Sequence, residues 1–261
     1  MSTRIFKLFA LFFIAFSIQL NAQKFDIGLL AGPQAYTVSF EDKDDRDEYD
    51  SKIKLGYRAG AYILFPLEND FAWSVEGFFS RKGRNLESNF NGQDVVNNAS
   101  YNFIELNFLL RKEFNLTLIK GLEGKWFLNI GPNINYWLSG KGTIDATVDL
   151  DYKVKFEDGP GDFEYNYIRD GNRWLFGIDF GIGIDNQIIK SQKVEAELRF
   201  TLGQTFLGAK DGSVPVNDFQ VNDNLRANYR VLALVIRYGI GVDFKNARKG
   251  KSTLKIKKRK R

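Results

Sequence analysis

Apolar and polar residues alternate one for one through most of this chain. In Arg173–Asp185, Trp174, Phe176, Ile178, Phe180, Ile182 and Ile184 share one face, while Leu175, Gly177, Asp179, Gly181, Gly183 and Asp185 share the other. Trp126–Leu138, Val194–Leu202 and Arg230–Phe244 repeat the pattern, and Phe25–Val38, Lys54–Phe65, Phe71–Lys82 and Tyr101–Phe114 follow it with more noise. An amphipathic helix would place its apolar positions every three to four residues, so a period of two predicts strands. The count is eight. The connections alternate in length. Phe40–Lys52, Gly83–Ser100, Ser139–Asn172 and Gly208–Asn228 are long, and Pro66–Asp70, Asn115–Gly124 and Asn186–Gln192 are shorter. That rhythm predicts an all-β fold, an eight-stranded antiparallel up-and-down barrel with both termini at the end that carries the short turns.

A water-soluble barrel and a transmembrane one share this alternation and differ in which face is inside. Three features favour the membrane. The apolar faces are large and aromatic, with Trp73, Trp126, Tyr136, Trp174 and Tyr238 near strand ends, where an interfacial girdle belongs. The opposite faces carry Gly and isolated charges rather than solvated Lys and Glu. The segments also suit a tilted crossing, which takes about 9–11 residues. Outer-membrane lipid is therefore an expected partner.

If the apolar face meets lipid, the polar face meets the lumen. It supplies Arg58, Glu76, Glu105, Arg111, Asp179, Glu195, Glu197, Arg199 and Arg237. Eight strands enclose a space that side chains just fill. An unpaired charge there is expensive, so acids and bases are expected to pair across it, with Arg58, Glu76, Glu105, Arg199 and Glu195 or Glu197 as the members. A salt-bridged plug and a gated ion path both fit such a cluster.

The N-terminus has a different pattern. Arg4 and Lys7 precede the apolar run Leu8–Leu20, and Leu20-Asn21-Ala22 offers a small residue for cleavage before Gln23. This three-part arrangement predicts a signal peptide over 1–22, a barrel over 23–244 and a separate tail over 245–261. The run is short for a spanning helix.

Composition and charge narrow the function. Of 261 residues, 37 are Lys or Arg and 32 are Asp or Glu, with no His and no Cys. Without them there is no Ser-His-Asp triad, no Cys-His pair and no His- or thiolate-held zinc. No metal, cofactor or catalytic residue is expected. The chain is net basic only because of its ends. Lys245–Arg261 holds ten bases and residues 1–22 hold two, with no acid in either, which leaves 25 bases against 32 acids between them. The tail is too charged to fold alone. A solvated tail and an electrostatic tether to an anionic periplasmic partner are both consistent with it. No nucleic acid is expected, because an exported protein would not meet it. Seven of the ten residues Glu41–Asp50 are acidic, which suits a solvated loop better than a graded cation loop. Alternation continues from Ile144 to Phe156, predicting a hairpin that projects from the third long connection.

Several segments resemble one known family. They are Phe25-Asp26-Ile27-Gly28-Leu29-Leu30-Ala31-Gly32, Gly56-Tyr57-Arg58-Ala59-Gly60, Tyr101-Asn102-Phe103-Ile104-Glu105-Leu106, Asn129-Ile130-Gly131-Pro132, Gly177-Ile178-Asp179-Phe180-Gly181 and Glu195-Ala196-Glu197-Leu198-Arg199-Phe200. In order and spacing they resemble the porin-like, PorT-type outer-membrane β-barrels typical of Bacteroidetes. The resemblance covers nearly all of 23–244. It implies a small Gram-negative outer-membrane barrel inserted by the barrel assembly machinery, with periplasmic termini. Arg237-Tyr238-Gly239-Ile240-Gly241-Val242-Asp243-Phe244 also resembles the C-terminal insertion signal of such barrels, with Arg237, Gly239, Val242 and Phe244 in the defining places. The functional expectation is a structural or interaction protein with a filled lumen and long extracellular loops. Transport of a small or apolar solute and membership of a secretion apparatus are the alternatives. An enzyme is the least favoured reading.

Overall fold

The computed structural model describes residues 24–90, 93–115, 125–145, 149–154, 156, 171–189, 191–209, 213–216, 219–222 and 224–243. The segment with Ala22 and Gln23, the insertion-signal residue Phe244 and the tail 245–261 lie outside the described residues. Eight long strands form the body: β1 (Lys24–Phe40), β2 (Lys54–Pro66), β3 (Phe71–Phe90), β4 (Gln93–Phe114), β5 (Lys125–Asp145), β6 (Trp174–Ile189), β7 (Gln192–Gly203) and β8 (Ala227–Asp243). Each pairs antiparallel with the next, and β1 pairs with β8 in a register that runs from Lys24 opposite Asp243 to Phe40 opposite Ala227. The sheet closes on itself as an eight-stranded ring. No edge is left on the wall, which is what a sheet in hydrocarbon requires.

Short turns and both described termini lie at one rim, here the terminal end. One of these turns shows its cause. Asn69 and Asp70 both adopt φ 58°, and the Phe71 amide donates to the Glu68 carbonyl at 3.3 Å. Two successive left-handed residues make the hairpin turn that matches strand twist, and Asn and Asp tolerate that conformation better than other side chains.

The opposite rim, the loop end, departs from the expected pattern. Gly83–Ser100 is not a loop. It continues β3 and β4 as a ladder from Gly83 opposite Ser100 to Phe90 opposite Gln93. The acidic connection after β1 contains a short helix, Lys43–Glu48, and a two-residue strand, Asp50–Ser51, that pairs with β3. Among the described residues no cluster of His, Cys, Asp or Glu is placed to hold a metal. The expected hairpin is present: β5 runs on to Asp145, and Leu150–Val154 folds back along it. A second small hairpin pairs Ser213–Val216 with Phe219–Asn222.

The wall has two regimes. In the body, the large apolar residues face out, among them Leu128, Ile130, Phe176, Ile178, Leu234 and Ile236, while Glu, Arg and Asn face in. Toward the loop end this inverts. A β-bulge at Leu138, between the pairs Phe103–Trp137 and Asn102–Ser139, shifts the register. Beyond it the outward positions of β5 are polar, and the inside of the barrel is an apolar core built around Tyr36, Tyr101, Phe103, Trp137, Tyr152 and Tyr229. Trp137 is its centre, 4.5 Å from the Tyr101 ring and 5.7 Å from that of Phe103. The upper barrel is thus filled as a soluble protein is, and the lower barrel as a membrane one.

Two outcomes check this architecture. The detergent-extracted protein should show heat-modifiable gel mobility, as closed barrels do. Trp137→Ala should destabilise it by about 3–5 kcal/mol, because the site is fully packed. Trp174→Ala, on the exposed face, should cost far less. Urea unfolding of vesicle-inserted protein reads both.

Candidate functional site: the charged lumen

Strand parity brings nine charged positions inside. Arg58, Glu76, Glu105, Arg111, Asp179, Glu195, Glu197, Arg199 and Arg237 are all buried. They come from six strands: Arg58 from β2, Glu76 from β3, Glu105 and Arg111 from β4, Asp179 from β6, the three residues of the Glu-x-Glu-x-Arg run from β7, and Arg237 from β8.

The centre is a balanced set of three arginines and three glutamates. Arg199 grips two carboxylates at once. Its Nε donates to Glu197 Oε1 at 2.9 Å and its Nη2 to Glu197 Oε2 at 2.8 Å, while Nη1 and Nη2 bond both oxygens of Glu76. Because β3 and β7 stand four places apart in a ring of eight, the Arg199–Glu76 pair is a strut across the full lumen. Arg111 makes a two-pronged bond to Glu195, at 2.9 and 2.6 Å, with its guanidinium stacked 3.6 Å from the Phe127 ring. Arg237 joins the two halves, reaching Glu195 Oε2 at 3.1 Å, Glu197 Oε2 at 2.6 Å and also Glu76. Such bidentate guanidinium–carboxylate pairs are the strongest and most directional ion pairs available to a protein.

Backbone economy makes room for these groups. A Cβ on Gly181 would stand 1.9 Å from Glu197 Oε1, and one on Gly239 would stand 2.2 Å from the Tyr62 hydroxyl. A side chain at either position would displace a lumen group.

A second layer lies toward the loop end. Glu105 accepts from Lys82 Nζ at 2.8 Å, from Asn133 Nδ2 at 3.2 Å and from the Ser80 hydroxyl. Lys82 also donates to Asn135 Oδ1 at 2.7 Å and sits 4.8 Å from the Phe103 ring centre. Asp179 accepts from Thr201 Oγ1 at 2.6 Å and from Asn107, and its nearest guanidinium nitrogen, on Arg199, is 3.8 Å away. Arg58 departs from the expected ion pairing. Its Nε and Nη2 both donate to Gln34 Oε1, at 2.9 and 2.8 Å, and its guanidinium lies over Phe78. Gln34 is held in turn by donating to the Tyr57 and Arg81 carbonyls.

At the terminal rim Lys193 bridges Asp26 at 2.6 Å and Glu195 at 3.1 Å. Lys82, Arg84, Gln34 and Lys193 were absent from the residues picked by sequence. Lys82 already closes the strand Phe71–Lys82 on the parity of Glu76 and Ser80, and Arg84 keeps that parity beyond it, where a longer strand assignment would have captured it.

Buried charge on the inside, apolar residues on the outside and a closed ring together define a barrel that meets lipid. The chain belongs to the outer membrane protein beta-barrel domain family. The family matches residues 19–205, more than two thirds of the chain. The barrel is completed by β8, which lies beyond that match. Membership places the protein in the outer membrane of a Gram-negative cell.

No curated protein matches the chain. Among solved structures, OprG from Pseudomonas aeruginosa aligns at 10% identity and TM-score 0.48, covering 84% of this chain and 95% of that one. Neisserial surface protein A aligns at 11% identity and TM-score 0.37, covering 81% and 95%. The outer membrane protease OmpT from Escherichia coli aligns at 10% identity and TM-score 0.33, covering 85% and 96%.

Removing one partner of the network should be far worse than removing a neutralised pair. Arg199→Met leaves Glu76 and Glu197 short of a partner and should destabilise the barrel by about 3–5 kcal/mol. Adding Glu197→Gln should restore part of that loss. Unfolding of the single and double variants in lipid vesicles checks the difference.

Proposed function

We propose that this protein is a closed outer membrane barrel with a structural or interaction role, presenting its loop end to the cell exterior, and that it is not an enzyme. The observation that carries this reading is the Arg199–Glu76 strut with its two companion arginines. Six side chains from four strands fill the cross-section and spend their charges on one another. The aromatic core around Trp137 then stacks over that layer on the loop side. A lumen packed this way supports fixed shape better than passage.

The orientation follows the rule that short turns face the periplasm and long connections face outside. It places Lys24, Asp243 and the basic tail on the periplasmic side, where ten bases would tether an anionic partner. The same reading makes the sequence Arg237–Phe244 the segment handed to the barrel assembly machinery. Placement in the PorT-type branch rests on the ordered motifs from Phe25 to Phe200 alone.

In planar bilayers the refolded protein should give no stable conductance steps. Persistent open-channel steps from the wild type would replace this reading with solute transport. Neutralising the tail should weaken any periplasmic contact it makes, and raised salt should mimic the change, since such attraction decays within about 8 Å at physiological ionic strength. Pull-down from periplasmic extract at two salt concentrations measures it.

A further inference from the structure

The outer wall above the bulge carries a charge pattern that the barrel itself does not use. Leu138 is the last exposed apolar residue of β5, and Ser139 and Lys141 follow it on the outside. At about 3.4 Å per residue, Lys141 stands only some 10 Å along the strand from Leu138. It lies at the height where lipid headgroups begin.

Register sets what surrounds it. Lys141 pairs with Ser100 of β4 on one side and with Lys153 of the projecting hairpin on the other. Two ammonium groups directly opposite on neighbouring antiparallel strands repel. Neither Lys141 nor Lys153 makes an ion pair among the described residues. A third cation joins them. Lys54 Nζ donates to the Ala99 carbonyl at 2.9 Å, to Ser100 Oγ at 3.2 Å and to the Asn98 side chain. Together these residues line an open pocket of about 420 Å³, which Thr143 also borders. Among the described residues of its lining Asp151 is the single acid, so three ammonium groups leave an excess of two positive charges. Amines and hydroxyls around such an excess match a phosphate monoester dianion.

The neighbouring surface says what kind of molecule bears the phosphate. Ile53 and Leu55, on either side of Lys54 in the chain, are 75% and 78% exposed, the highest values among the large apolar residues of the described chain. A cationic pocket close above the lipid-facing wall that ends at Leu138, with bare Ile53 and Leu55 on the segment that carries Lys54, suits an amphiphile better than a soluble ion.

We propose that Lys141 and Lys153, with the positive charge of Lys54 fixed beside them, bind the phosphate of a phosphorylated glycolipid in the outer leaflet of the membrane. The proposal rests on the orientation given above, which turns the loop end outward.

The test uses the full chain refolded in detergent micelles, with three probes: phosphorylated lipid A, the same lipid with its phosphates removed, and inorganic phosphate. The phosphorylated lipid should bind saturably, and the dephosphorylated lipid should not. The double variant Lys141→Gln, Lys153→Gln should weaken binding roughly tenfold while keeping heat-modifiable mobility, because two charge-assisted contacts are lost. Lys125→Gln, at the opposite rim, should leave binding unchanged. Equal affinity of the double variant, or of the dephosphorylated lipid, would overturn the site. Displacement of the lipid by an equal concentration of inorganic phosphate would overturn the glycolipid as its occupant. Orientation is read separately, by labelling Lys141→Cys in intact cells with a membrane-impermeant maleimide. Labelling supports the outward loop end. Its failure alongside intact binding in micelles would overturn the orientation and the outer-leaflet assignment while leaving the pocket's affinity for phosphate standing.

Discussion

The closure of β1 onto β8 is the constraint from which the rest follows. In hydrocarbon an unpaired backbone amide or carbonyl has no water to turn to, so a sheet survives there only without edges. Fifteen register pairs between Lys24–Phe40 and Ala227–Asp243 remove the last two edges. Closing the ring at eight strands also fixes a narrow interior. Side chains that alternation sends inward must share that space, and in the middle of this barrel they are charged. The mutual pairing of three arginines and three glutamates is therefore a consequence of the ring size as much as of the residues.

Much of this was legible along the chain. All eight strands were marked by alternation, and its phase assigned inside and outside for Asp179, Glu197, Arg199 and Arg237, because a strand admits only two faces. What alternation could not supply was partnership. Glu76 and Arg199 are 123 positions apart and meet only because β3 and β7 become diametric in a ring of eight. Arg58 illustrates the same limit: its face was readable, but its choice of Gln34 over a carboxylate depends on which strand stands beside β2.

The strand ends were less legible for a different reason. Phe71–Lys82 looked finished because Gly83, Asn85 and Glu87 lack the apolar outer face that marks a lipid-facing strand. The strand continues, but its outer face has left the lipid. The bulge at Leu138 has the same effect on β5, where one extra residue resets which positions point inward. A rule tuned to greasy outsides stops where the grease stops, although the hydrogen-bonded ladder runs on to Phe90 and Gln93.

That inversion of polarity along a single continuous wall acts as a waterline. Sinking the barrel deeper would drag Ser139, Lys141 and the other polar outer positions into hydrocarbon, and raising it would strand Leu138, Trp174 and Leu232 in water. The vertical setting is fixed by the wall at the loop end, independent of any anchor outside the barrel. In a bilayer thinner or thicker than its apolar band, the mismatch would then fall on the terminal rim, where Lys24, Lys125 and Asp243 stand. The side nearest the turns would be the one to yield, and the lipid around it the first to deform.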